Sequence, residues 1–262
     1  MMITGAVIGF IFAVNTEIPI YGFICAAIAG ALLSVLFAVL TQYIMSNQVA
    51  TGLGLTMVGL GLSALIGKPY EGIRSPTLSK IEIPILSDIP ILGPMIFSHD
   101  AIVYFSIILV GTVAFVISKT RVGLVLRAVG ENQEAAHALG YKVVRIRFLA
   151  IMFGGATAGI GGAYISLARV PQWTEGMTAG AGWIALALVV FASWKPWRVL
   201  LGAYLFGGIT VLQLNLQAIG VAIPVEILSM SPYLVTIVVL VGISLFGHHT
   251  APGSLARPFH AS

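Results

Sequence analysis

Residues 22–44 read GFICAAIAGALLSVLFAVLTQYI, a run of twenty-three without a charged side chain. At a rise of 1.5 Å per residue such a run makes a helix of about 34 Å, long enough to cross the ~30 Å hydrocarbon core of a bilayer. The whole chain shares this character. Of 262 residues, 58% are hydrophobic and 8% charged, and the mean hydropathy is +1.03; an ordinary soluble domain carries roughly 25% charged residues. A soluble domain of this size still shows much of its surface to water and needs polar groups to cover it. Water is therefore excluded as the main solvent of the chain.

Working outward, further apolar runs occupy 49–66, 101–117, 148–167, 177–194, 199–219 and 227–246. Residues 1–14 are apolar too, but a helix of that length reaches only ~21 Å, and it lacks the basic leader and small-residue cleavage site of a signal peptide. The expected architecture is an all-α, polytopic bundle of seven or eight membrane helices forming one transmembrane domain over 1–262. Residues 67–100 hold Pro69, Pro76, Pro84, Pro90 and Pro94, so this segment reads as a long extramembrane loop rather than a helix. Residues 118–147 are the strongly polar stretch. Alternating crossings put Lys119, Arg121, Arg127, Lys142, Arg145, Arg147, Lys195, Arg198 and Arg257 on one side, against Lys68, Arg74, Lys80 and Arg169 on the other. Because basic residues are retained in the cytoplasm, the segment 118–147 is expected to be cytoplasmic and 67–100 extracytoplasmic.

Several classes of chemistry find no support. The net charge of +4 comes from thinly spread basic residues, with no compact patch for nucleic acid. Cys25 is the one cysteine, so no internal disulfide forms. His99, His137, His248, His249 and His260 lie apart from any Cys or carboxylate cluster, and no metal site is expected. Gly67-Lys68 is followed by Pro69 and lacks the upstream glycine of a phosphate loop. No acid, base or nucleophile pair falls inside a span, which argues against an intramembrane enzyme. No ionisable residue lies between the ends of the assigned spans, which disfavours a proton relay.

Three features remain. Gly154, Ala158 and Gly162, and in parallel Gly155, Gly159 and Ala163, recur every fourth residue, as a close helix-packing face requires. Gln213, Asn215 and Gln217 share one span, with Gln213 and Gln217 about 40° apart around the helix and Asn215 opposite; they either glue helices or line a wet path for a polar solute. In the segment from Glu131 to Gly140, Asn132 is placed to cap a short helix, Glu134 sits in its first turn and Gly140 can end it. Ala135, Ala136 and Leu139 give this helix a small apolar face. A helix of two turns is unstable alone, and between two spans it suits docking in a groove of another protein, although an ordinary surface helix would show the same pattern.

The stretch GENQEAAHALGYKVVRIRFLAIMFGG at 130–155 resembles the cytoplasmic coupling loop of permeases from ATP-binding-cassette importers of the branched-chain amino acid, ribose and nucleoside group. NQVATGLGLTMVGLGLSALIG at 47–67, GWIALALVVFASWKPW at 182–197 and LFGGITVLQLNLQAIG at 205–220 continue the likeness, and the last two, with SPYLVTIVVLV at 231–241, are most similar to permeases for simple sugars or nucleosides. The resemblance implies a permease that forms the path and does not itself hydrolyse ATP. It implies, as partners, an ATPase subunit that holds ATP and magnesium, a second, non-identical permease, an extracytoplasmic solute-binding protein or lipoprotein, and the lipid of a bacterial cytoplasmic (inner) membrane. It further implies that Glu131, Asn132, Gln133, Glu134, Ala135, Ala136, His137, Leu139 and Gly140 touch the ATPase. Gln213, Asn215 and Gln217 are then candidates for the translocation path. Relatives of this type begin with a further apolar helix, so an amino-terminal helix is expected to be lacking relative to the family. An ion-coupled secondary transporter or channel is the alternative.

Overall fold

The helix α1 (Met2–Thr16) carries no charge and puts mostly small side chains on its surface, so neighbouring helices approach it from several sides. Ile3, Ala6, Val7, Phe10 and Ala13 are buried along it. It stops at Glu17, whose backbone turns left-handed at φ 58°. Ile18 is then extended, and Pro19 opens α2 (Pro19–Gln42), the first helical position being the one where a missing N–H costs nothing. The chain continues through α3 (Gln48–Gly67), a single turn at Lys68–Tyr70, strands β1 (Lys80–Glu82) and β2 (Ser98–Asp100), α4 (Ala101–Lys119), α5 (Arg121–Glu131), α6 (Gln133–Ala138), α7 (Val143–Tyr164), α8 (Ala181–Phe191), α9 (Pro196–Ala218) and α10 (Val225–Phe246). In this computed structural model the described residues are 1–76, 78–82, 98–178, 180–220, 224–246 and 251–259. They fall into two units: Met1–Phe105 with Val125–Ala179 and Ser254–Ser262, and Ser106–Leu124 with Gly180–Gly253.

In the first unit α1, α2 and α7 pack on one another and α3 lies beside α1. Backbones meet without side chains between them. A Cβ on Gly159 would overlap the Ala26 carbonyl, one on Gly155 would overlap Ser34, and one on Gly162 would overlap the Met2 carbonyl. Gly30 meets the Gly155 carbonyl in the same way. With no hydrophobic effect available between helices in lipid, such close contact supplies the association energy through dispersion. Beyond Tyr164 the helix continues as a wider turn, Ile165–Arg169, and the Ser166 hydroxyl there donates to the Ala6 carbonyl at 2.9 Å. Trp173 then plugs the same core, buried against Gly67.

The loop 67–100 is tied down at both ends of its described part. Glu71 bridges to Trp173 and Arg74 to Gln172, the Ser75 N–H donates to the Pro171 carbonyl at 3.1 Å, and β1 pairs antiparallel with β2 in the register Ile81 to His99. This ribbon is the one sheet among the described residues. Pro84, Pro90 and Pro94, like His248, His249 and His260, lie outside the described residues.

In the second unit α9 and α10 pack together and α8 touches both. Gly202 of α9 lets the Phe191 ring lie against the backbone, and the rings of Phe206 and Tyr233 meet edge to face at 6.0 Å. Ser193 and Trp194 take positive φ, and Pro196 restarts the chain as α9.

Five helical stretches are long and apolar enough to cross a membrane, beginning at Pro19, Gln48, Ala101, Val143 and Pro196, and α10 adds twenty-two residues. Their outer faces carry bare apolar side chains, such as Leu65 at 74% exposed and Ile108 at 66%. Groups of this kind are stable only against lipid or another apolar surface. The chain is a multi-pass helical membrane protein.

Three sequence expectations are corrected. The run 177–194 does not form one spanning helix: α8 has eleven residues, about 16 Å, because Gly180 sits at φ 80° before it and Ser193 and Trp194 are left-handed after it. The polar stretch 118–147 is largely helical rather than a loop holding one short helix. The unforeseen α5 carries Val122, Val125, Leu126 and Val129 at offsets 0, 3, 4 and 7, the spacing of an amphipathic helix. α7 begins at Val143, earlier than the expected 148, and so takes Arg145 and Arg147 into its first turns.

Candidate functional site

The polar segment holds two successive helices, α5 and α6. Thr120 and Gly123 make the turn from α4 to α5; a Cβ at Gly123 would overlap the Val116 carbonyl, and the Gly123 N–H donates to the Thr120 hydroxyl at 3.2 Å. After Glu131, the last residue of α5, Asn132 is extended, and its Oδ1 accepts from the Ala135 N–H at 3.0 Å. α6 therefore starts where the capping pattern predicts. It ends where predicted as well: Gly140 takes φ 87°, its N–H donates to the His137 carbonyl at 2.8 Å, and the Tyr141 N–H reaches the Ala136 carbonyl at 3.1 Å. This pair of bonds is the left-handed glycine cap that satisfies last-turn carbonyls.

The expected apolar face of α6 is divided. At 100° per residue Ala135 and Leu139 lie about 40° apart, whereas Ala136 lies 100° from Ala135. Ala136 is accordingly buried with Val129, Val143 and Phe259, while Ala135, Ala138 and Leu139 point outward beside Glu131 and Glu134, and Leu139 is 75% exposed. His137 is exposed and meets the Phe259 ring edge-on at 5.3 Å. Gln133 is buried. Its Oε1 accepts from Arg147 Nη1 at 2.8 Å and its Nε2 donates to the Pro258 carbonyl at 2.9 Å.

The second of these contacts joins residues 125 positions apart and the first residues 14 apart, and no local pattern announces either. Sequence reasoning therefore missed Arg147, Ser254 and Phe259 as members of the site. The apolar placing of Phe259 in a polar tail was the one available signal.

The two interlocked glycine series also separate. Gly155, Gly159 and Gly162 are buried at helix contacts, Ala158 is half-buried, and Gly154 is exposed with nothing near the position of a Cβ. Gly154 stands 100° around the helix from Gly155, so both cannot face α2; Gly162, seven residues on from Gly155, returns to within 20° of it.

On α9, Asn215 is exposed and donates from Nδ2 to the Val211 carbonyl one turn back at 3.0 Å, and Gln213 and Gln217 are half-buried. Near the cap of α3, Asn47 Oδ1 accepts from both Val49 and Ala50 N–H groups at 3.0 Å. Among the described residues no three His, Cys, Asp or Glu side chains gather closely enough to hold a metal ion.

The arrangement is an outward-facing, capped helix seated on α5 and α7. Comparison with known proteins identifies the family. Residues 1–243 match the family described as branched-chain amino acid transport system / permease component. A Haloferax volcanii protein provisionally named a glucose ABC transporter permease is 37% identical, the match covering 92% of this chain and 80% of that protein. A guanosine ABC transporter permease of Bacillus subtilis is 33% identical over 92% of this chain and 77% of its own length, and a nucleoside ABC transporter permease of Lactococcus lactis is 33% identical over 85% and 72%. No solved structure matches the chain. The chain belongs to the branched-chain amino acid transport system permease family and is a permease subunit of an ATP-binding-cassette transporter.

Proposed function

We propose that this permease forms half of the path by which a nucleoside or a simple sugar is imported, and that α6 is its grip on a separate ATPase. The observation that carries the reading is the outward display of Glu134, Ala135 and Leu139 from a helix whose other side is seated. Similarity to permeases named for glucose, guanosine and nucleosides supports the solute class. ATP and magnesium belong to the partner, which supplies the energy; the motion enters through α6 and passes into α5 and α7, to which it is joined. The excess of basic residues on the side carrying 118–147 supports a cytoplasmic position for that segment in a bacterial inner membrane. A second, non-identical permease completes the path and an extracytoplasmic binding protein delivers the solute. Gln213, Asn215 and Gln217 provide amide groups along α9 that suit a polyhydroxylated solute.

The experiment is reconstitution of the complete transporter with Glu134→Lys and Ala135→Trp. Solute-stimulated ATP hydrolysis is expected to fall while the complex still binds nucleotide; stimulation equal to that of the parent complex rejects the grip. Thermal-shift binding of nucleosides, pentoses and hexoses to the binding protein tests the solute class, and binding of none of them rejects it.

A further inference from the structure

The six residues of α6 are too few to hold a helix by themselves, and their caps fix only the ends. What seats the helix comes from far along the chain. The Gln133 N–H donates to Ser254 Oγ at 3.1 Å and the Ser254 N–H donates to the Gly130 carbonyl at 2.9 Å. Gln133 Nε2 donates to the Pro258 carbonyl at 2.9 Å. Arg147, from α7, donates to the Arg257 carbonyl from both Nη1 and Nη2 at 3.1 Å, and Nη1 also reaches Gln133 Oε1 at 2.8 Å. Phe259 completes an apolar cluster with Val129, Ala136 and Val143, which come from α5, α6 and α7. Ser254 and Phe259 are themselves buried.

Gln133 thus spends its backbone N–H and both ends of its amide on this one joint, and the Arg147 guanidinium is bound to neutral carbonyl oxygens of two different segments. Hydrogen bonds from a charged donor are the stronger kind. The residues buried on α6, Gln133 and Ala136, both face segment 254–259, exposed His137 meets its Phe259 ring, and Glu134, Ala135 and Leu139 are left outward.

We infer that segment 254–259 is a positioning clasp of the coupling site: through Gln133, Arg147 and Phe259 it holds α6 at a fixed angle to α5 and α7, so that motion of the ATPase reaches the bundle only while the clasp is closed. The inference rests on the reading of α6 as the ATPase grip. Without the clasp α6 keeps its caps but loses its seat, and the push on Leu139 is absorbed locally.

The test places a photo-crosslinking benzoylphenylalanine at Leu139 in the full transporter and measures adduct with the ATPase, alongside solute-stimulated hydrolysis. The backgrounds are the parent chain, Arg147→Ala, Arg147→Lys, Phe259→Ala, Phe259→Leu and Ser254→Ala. The alanine variants at 147 and 259 are expected to lower stimulated hydrolysis and adduct about tenfold, the equilibrium change produced by about 1.4 kcal/mol. Lysine and leucine at those positions restore part of it, and Ser254→Ala gives a smaller loss. Adduct and stimulation unchanged in Arg147→Ala and Phe259→Ala overturn the clasp while leaving the grip intact. Absence of adduct in every background overturns the grip and the clasp together.

Discussion

Trp173 shows how far a single residue departs from what its neighbours in sequence suggest. It lies in the loop after α7, yet it is buried in the core of α1, α2 and α7, and its ring lies on Gly67, where a Cβ would overlap the indole nitrogen. Nε1 has no hydrogen-bond partner among the described residues. A buried donor without a partner carries its full desolvation penalty. Trp173→Phe, which keeps most of the ring and removes the donor, is therefore expected to leave thermal unfolding in detergent unchanged or to raise its midpoint. Trp173→Ala empties the site and is expected to cost about 3–5 kcal/mol. A midpoint lowered equally by both would show that the indole N–H has a partner after all. Asn132 and Gly140 are the opposite case: their roles as caps follow from residue type and spacing, because a side-chain oxygen before a first turn and a glycine after a last one satisfy local backbone groups that every helix leaves open.

At the scale of elements, α7 separates what periodicity reveals from what it leaves open. A glycine every fourth residue announces a packing face, but two series offset by one residue announce two faces, and only contact with α1 and α2 decides which members pack: Gly162 from one series, Gly155 and Gly159 from the other. Gly159→Ala drives a methyl group into the Ala26 carbonyl and is expected to destabilise the bundle by about 1–3 kcal/mol or more. Gly154→Ala meets open space in the chain and gains the helix preference of alanine over glycine, up to about 1 kcal/mol. Thermal unfolding of the two variants side by side checks the assignment, and equal effects would sink it. The same holds for α5 and α6. α5 carries a legible apolar stripe, whereas the split of α6 into a seated and an outward side depends on segment 254–259.

For the molecule as a whole, the family is that of a permease component, and the function proposed above places nucleotide hydrolysis in a partner subunit. The purified chain in liposomes is expected to move no nucleoside or sugar along an imposed ion gradient, and movement to appear only when an ATPase, a second permease, the binding protein and ATP are added; flux through the chain alone would contradict the proposed function. Much of this was readable in one dimension. The lipid solvent, the polytopic helical class and the caps of α6 follow from local rules, since hydropathy, length and backbone satisfaction act over a few residues. The boundaries of α8 were not, because left-handed backbone at Ser193 and Trp194 is not announced by their residue types. Neither was the joint of Gln133 with Arg147, Ser254 and Phe259. Local sequence determined that this chain lives in lipid and carries a short capped helix in its polar segment. Only the tertiary structure decided which glycines touch and which side of that helix is seated, because both depend on contacts between residues more than a hundred positions apart.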